Sequence, residues 1–176
     1  MIASLITKLD NFERLVRTSF GRDISSRSGR FWAYIHFHLM DHAFLRILWS
    51  NYHKLCVDAY RAGQPSPSDL RSYKNKGIKA VLNLRGFTPQ SYALFEEESC
   101  KKLGLELISV PLSGSFAPQP EKLLEIIGIM EKIPKPFVLH CKSGADRAGL
   151  VSAMYLIVQK KLPVAEAKKQ LSFKYL

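Results

Sequence analysis

Cysteine is scarce in this chain of 176 residues: only Cys56, Cys100 and Cys141. So small and odd a set cannot build a disulfide framework. It points to a reducing, cytoplasmic setting and to thiols free to react. Long apolar runs are also lacking. The densest stretch, residues 31–49, is interrupted by Asp41 and Arg46 and by His36, His38 and His42. Each of the two charges would cost about 2.5–3.5 kcal/mol at a bilayer centre, which argues against a membrane span. Residues 1–10 carry Lys8 and Asp10 beside a short apolar run, so a secretory leader is not expected. Neither a repeat nor a low-complexity tract appears, and the length and ordinary apolar content suit one core-forming α/β domain. Acidic residues are few: 26 basic minus 15 acidic gives +11, with nine minus five in residues 1–63 and 17 minus 10 in residues 64–176. This spread excess favours anionic partners, either phosphorylated groups or an anionic membrane surface. No nucleic-acid motif accompanies it, and nucleic acid is not expected as a partner. Aspartate is missing altogether between Leu107 and His140.

What is present centres on residues 136–149, Pro-Phe-Val-Leu-His-Cys-Lys-Ser-Gly-Ala-Asp-Arg-Ala-Gly. Phe137 to Leu139 read as a buried strand after Pro136, and Leu150, Val151, Met154, Tyr155 and Val158 recur at helical spacing. A tight loop therefore joins a strand to a helix N-terminus, where backbone N–H groups and the helix dipole favour an anion. Cys141 opens the loop and Arg147 closes it. Such surroundings favour a thiolate, the nucleophilic form. The Arg147 guanidinium offers a planar fork matched to phosphate oxygens. A lone cysteine is usually a small core residue. The joint presence of His140, Gly144 and Arg147 in a strand–loop–helix setting argues for chemistry instead.

Residues 2–20 carry a helical apolar stripe, and residues 21–30 read as a polar basic linker. Residues 31–49 are expected as one helix with His38, His42 and Arg46 in a polar stripe, lying on the domain or on a membrane surface. His38 and His42 have metal-ligand spacing but lack a third ligand, so no metal is assigned. A short strand at Tyr60 and a turn lead to a helix capped by Ser66 and Pro67, running to about Lys76. Strands follow at 78–84, 105–112 and 137–139, with helices at about 90–103, 120–132, 148–160 and 163–171. This alternation predicts an α/β fold, a mainly parallel sheet with helices on both faces. Ligands sit at the carboxyl ends of such strands, so Arg85 and the 113–119 loop should share the rim with Cys141.

The pattern His-Cys-x2-Gly-x2-Arg-x-Gly after an apolar strand resembles the signature loop of the cysteine-dependent phosphatases. Tyr60 to Pro65, Gly77 to Arg85, Val110 to Leu112 and the loop itself look like the bacterial dual-specificity and tyrosine-phosphatase-like branch. The resemblance covers residues 60–176 as a phosphatase domain and leaves 1–59 as a helical extension. It implies a protein-tyrosine-phosphatase-like fold and hydrolysis of phosphomonoesters without metal or cofactor. Cys141 would be the nucleophile, passing through a phosphocysteine intermediate, and Arg147 the clamp. Lys142, Ser143, Gly144 and Ala145 would bind substrate through the loop, His140 would order it, and Arg85 would stand at the rim. Phosphoprotein or phosphoinositide-like substrates are implied. Lys142 and the basic charge favour the latter, and residues 1–50 are expected to pack onto the core or, as the alternative, to make peripheral contact with anionic membrane.

Three departures stand out. Relatives usually carry Ser or Thr after the loop Arg, where this chain has Ala148. They usually place an acidic Asp on the loop matching 113–119, which here has none. They also usually extend by a further helix or two. Asp146 is therefore the candidate general acid, with Glu121 next. The departures sustain an alternative, a catalytically weak or inactive phosphate-binding module. Sulfur transfer is disfavoured by the Arg-Ala-Gly ending.

Overall fold

The computed structural model describes residues 19–175, so the expected 2–20 helix lies almost wholly outside the described residues. Helix α1, Arg27–Ile35, starts inside the expected linker because the Ser26 side chain accepts from the Gly29 N–H and caps it. It continues into a single π-turn, His36–Met40, and stops at Asp41 and His42 before helix α2, Ala43–Leu48. The single helix expected over 31–49 is thus broken. His42 sits at φ 58°, left-handed backbone that interrupts helical hydrogen bonding, and the His38–His42–Arg46 stripe is split between two helices. Among the described residues no helix is long and apolar enough to cross a membrane.

Strands β1 (His53–Lys54), β2 (Ala59–Ala62), β3 (Ala80–Asn83), β4 (Glu106–Ser109) and β5 (Phe137–His140) form one sheet in the order β1-β2-β5-β3-β4. All pairs are parallel except the β1–β2 edge, a short antiparallel addition that its sequence did not signal. Helix α3 (Pro67–Asn75) begins with a full capping box between Ser66 and Asp69. Helix α4 (Ser91–Leu103) ends at Gly104, left-handed at φ 62°. Helices α5 (Pro120–Lys132) and α6 (Asp146–Val158) follow, then a short α7 (Val164–Ala167) and 3-10 turns at Lys168–Leu171 and Phe173–Tyr175.

Successive strand residues face opposite sides. Phe137 and Leu139 join Leu82, Ile126, Met130, Val151 and Tyr155 in the core under α5 and α6. Val138 joins Val81, Leu70, Tyr73 and Cys100 under α3 and α4. The same alternation turns His140 and Asn83 toward α4. Strand β5 is flanked on both sides, Ala62 and Asn83 both pairing with His140. Cys141 therefore emerges at the centre of the sheet's carboxyl edge.

The region before β1 packs against α4. Ala33, Phe37, Ala43 and Phe95 form a small core there, and Arg30 holds Glu98 through two hydrogen bonds of 2.8 Å. Those bonds from Arg30, aided by Lys102, hold the Glu98 carboxyl down at about 2, against an ordinary value of 4.5. A depressed carboxyl contributes stability above its unfolded pKa and loses it as pH falls through the folded one. The attachment of α1 is therefore expected to weaken between about pH 4.5 and about 2. Trp32 fluorescence should report the change, and Glu98→Gln should flatten it.

Candidate active site

The loop between β5 and α6 is tied back by its carbonyls. Lys142 O accepts from the Gln64 N–H at 3.0 Å, and Ser143 O from Asn51 Nδ2 at 3.1 Å. Gly144 O and Ala145 O both accept from Arg61 Nη2, at 2.5 and 3.1 Å. In a planar trans peptide the N–H points opposite to the preceding C=O. Four carbonyls held outward thus turn the N–H groups of Ser143, Gly144, Ala145 and Asp146 toward the other side, where the thiol lies. The Gly144 N–H meets Cys141 Sγ at 3.3 Å, while that of Ala145 lies 3.3 Å from Ser143 Oγ. Gly144 is required on two counts. Its φ is +81°, and a Cβ there would come within 2.7 Å of the Gly63 nitrogen.

Arg61, fully buried in β2, is the anchor that sequence reasoning missed. Beyond the loop it donates to Gln170 O at 2.6 Å and Oε1 at 3.0 Å, and it stacks 3.8 Å over Tyr175. Burial pushes its guanidinium below the ordinary value, while the Tyr175 and Cys141 charges oppose that shift. Its signal was a charged residue inside an otherwise buried strand. His140, also fully buried, places Nε2 2.6 Å from Glu96 Oε1 and Nδ1 3.3 Å from the Cys141 carbonyl. Asn83 Nδ2 donates to the other Glu96 oxygen at 2.9 Å. Glu96 lies in an acidic run that reads as solvated. Its place with Ser99 and Cys100 on one helical face was the available clue.

This strand–loop–helix geometry fits what comparison with known proteins finds. The family model described as a DSP-PTPase phosphatase fused to NAD+ kinase matches residues 50–175. The chain belongs to that family of dual-specificity and tyrosine-type phosphatases. Tk-PTP in its active form is similar at 25% identity and TM-score 0.58, over 70% of this chain and 83% of that one. TpbA of P. aeruginosa aligns at 18% identity and TM-score 0.57, over 70% and 73%. The core catalytic domain of the PP-IP phosphatase SIW14 from S. cerevisiae aligns at 19% and 0.59, over 72% and 78%. No curated protein matches the chain in sequence.

In this phosphatase Arg147 is the second residue of α6, and its Nη1 donates to the Leu112 carbonyl at 3.2 Å. The 113–119 loop passes beside it: a Cβ on Gly114 would lie 3.6 Å from Arg147 Nε. That loop carries no carboxylate. Ser113 Oγ instead accepts from the N–H groups of Ser115 and Phe116, which closes a tight turn. Asp146 is exposed at the first position of α6 and borders a shallow cavity with Gln170, Leu171 and Ser172. Ala148 is fully buried and leaves no hydroxyl after Arg147. Arg85 does stand at the rim beside the loop. It is engaged there by Asp41 of the α1–α2 break, with Nη2 to Oδ1 at 2.7 Å, and by Gln64 Oε1 at 2.8 Å.

Proposed function

We propose that the chain hydrolyses phosphomonoesters through a phosphocysteine intermediate, on phosphoprotein or phosphoinositide-like substrates. The observation that carries this reading is the set of four loop carbonyls held outward around a thiol that already accepts from the Gly144 N–H. Three equatorial phosphate oxygens need such converging donors, and a guanidinium at the loop's end completes them. Cys141 Sγ attacks phosphorus, forming S–P as the P–O bond breaks. Asp146 delivers a proton to the leaving oxygen. Water then attacks phosphorus, its proton returns to Asp146, S–P breaks and inorganic phosphate departs. Lys142 and the net charge of +11 support a polyanionic substrate. Turnover of an aryl phosphate, with acid-quench trapping of labelled protein, tests the reading. Anion binding with neither turnover nor label would leave a phosphate-binding module.

Asp146→Asn keeps size and most hydrogen bonding while removing the proton donor. It is expected to slow substrates with poor leaving groups by about 10²–10⁴-fold, and activated aryl phosphates far less. Equal losses on both would assign Asp146 a structural role and move the search to Glu121 or solvent.

Peripheral contact with anionic membrane is part of the same proposal. Exposed Phe31, Trp32 and Tyr34 on α1, together with Ile47 and Leu48 on α2, support it. No co-sedimentation with anionic vesicles at low salt would remove it, since the electrostatic attraction is strongest there.

A further inference from the structure

Asp41 fills a position built for an anion. Its carboxylate takes Arg85 Nη2 at 2.7 Å and Arg85 Nη1 at 3.2 Å, and Arg46 Nη2 at 2.7 Å on its other side. Lys142 of the phosphate loop acts on the same carboxylate through space. Two guanidiniums thus hold one carboxylate, and the Lys142 charge adds to their attraction. Gln64 links this cluster to the loop: its N–H holds Lys142 O while its Oε1 accepts from Arg85 Nη1 at 2.8 Å. Gln64 is 2% exposed, and its Nε2 has no hydrogen-bond partner among the described residues. A buried donor left unmade is costly, so it marks a place where an acceptor is missing.

The segment that brings Asp41 here is poorly suited to a permanent plug. Asp41 lies between a π-turn and His42, whose left-handed φ of 58° is strained for a residue with a side chain. In the α2 that follows, Ala43 is the sole buried residue, while Ile47 and Leu48 are 76% and 90% exposed. Little apolar burial holds that helix. The Arg46–Asp41 contact, including Arg46 Nη1 to Asp41 O at 2.6 Å, is its main polar tie.

We propose that Arg85 and Gln64, beside Lys142, form a second anion subsite that accepts a further phosphate or carboxylate of the substrate, and that Asp41 is its internal occupant. The proposal rests on the phosphatase reading of the Cys141 loop and extends it. An incoming anion displaces Asp41, takes the two Arg85 donors and supplies the acceptor that Gln64 Nε2 lacks. Substrates bearing a second anionic group then gain an interaction that simple monoesters do not.

Calorimetric binding to Cys141→Ser protein, with and without Asp41→Asn, tests this without requiring turnover. The probes are an inositol bisphosphate against its monophosphate, and 4-carboxyphenyl phosphate against phenyl phosphate. Removing the internal competitor should tighten the doubly anionic member of at least one pair by about tenfold or more relative to its partner. The pair that responds identifies phosphate or carboxylate as the second group. Adding Arg85→Gln should abolish the gain. Equal changes within both pairs, or a gain that survives Arg85→Gln, would overturn the proposal. Should Asp41→Asn fail to fold, hydrogen exchange on the unsubstituted protein decides. The bisphosphate or the carboxyphenyl ester should speed exchange over Ala43–Leu48 more than its singly anionic partner does, and unchanged exchange with both would refute displacement. Turnover of phenyl phosphate by the unsubstituted protein tests the phosphatase reading separately, so the two ideas fail independently.

Discussion

Cys141→Ser is expected to lower turnover of aryl phosphates by about 10⁴-fold or more, the scale on which removing a nucleophile acts. An alcohol in the same place stays protonated and attacks phosphorus poorly, and nothing else in the loop replaces it. Binding of phosphate or vanadate should persist within a few-fold. The outward-tied carbonyls and Arg147 are untouched by the exchange of sulfur for oxygen. Near-normal turnover by the serine variant would refute the covalent route. The other two thiols provide the contrast. Cys56 donates to Asp58 at 2.9 Å, and burial pushes the Cys100 thiol up to about 12. Their replacement by serine should leave catalysis largely intact.

Arg61→Met should be the most damaging change away from the reacting atoms. It keeps much of the side-chain length but removes the Arg61 donors to Gly144 O, Ala145 O and Gln170 O, of which Ala145 O keeps the Gly149 N–H at 2.7 Å. A carbonyl left unpaired costs about 1–3 kcal/mol, so the loss at Gly144 O and Gln170 O is expected to reach about 2 kcal/mol or more, partly offset by burying methionine in place of a charge. That is a large share of a typical domain stability of about 5–15 kcal/mol. The loop peptides would also be free to rotate, so phosphate affinity should fall even in protein that remains folded. Urea denaturation and calorimetric phosphate binding report the two effects. Wild-type values in both would mean that the loop holds its shape without Arg61.

Local patterns carried much of this fold. Ser66 with Pro67 marked the start of α3, Gly104 the end of α4, and the apolar run before His140 the central strand. These signals are short-range: a cap, a left-handed glycine and a periodicity act within a turn or two. The loop was legible for the same reason. Cys141, Gly144 and Arg147 belong to one continuous segment whose conformation its own residues largely dictate, and the family match covering residues 50–175 bears out the phosphatase resemblance read from it.

Tertiary structure alone decided which distant groups support that loop. Arg61 lies 83 residues from Gly144, and Asp41 lies 44 from Arg85. Glu96 meets His140 only because α4 packs on the sheet face toward which β5 turns that side chain. A charged residue reads in sequence as solvated. Whether it is instead buried and paired depends on strand order and helix placement, which composition and periodicity do not contain. The break at Asp41 belongs to the same class. The apolar run from 31 to 49 supports an unbroken helix. Yet the ion pairs of Asp41 with Arg85 and Arg46 accompany a π-turn and a strained His42 that local propensity disfavours.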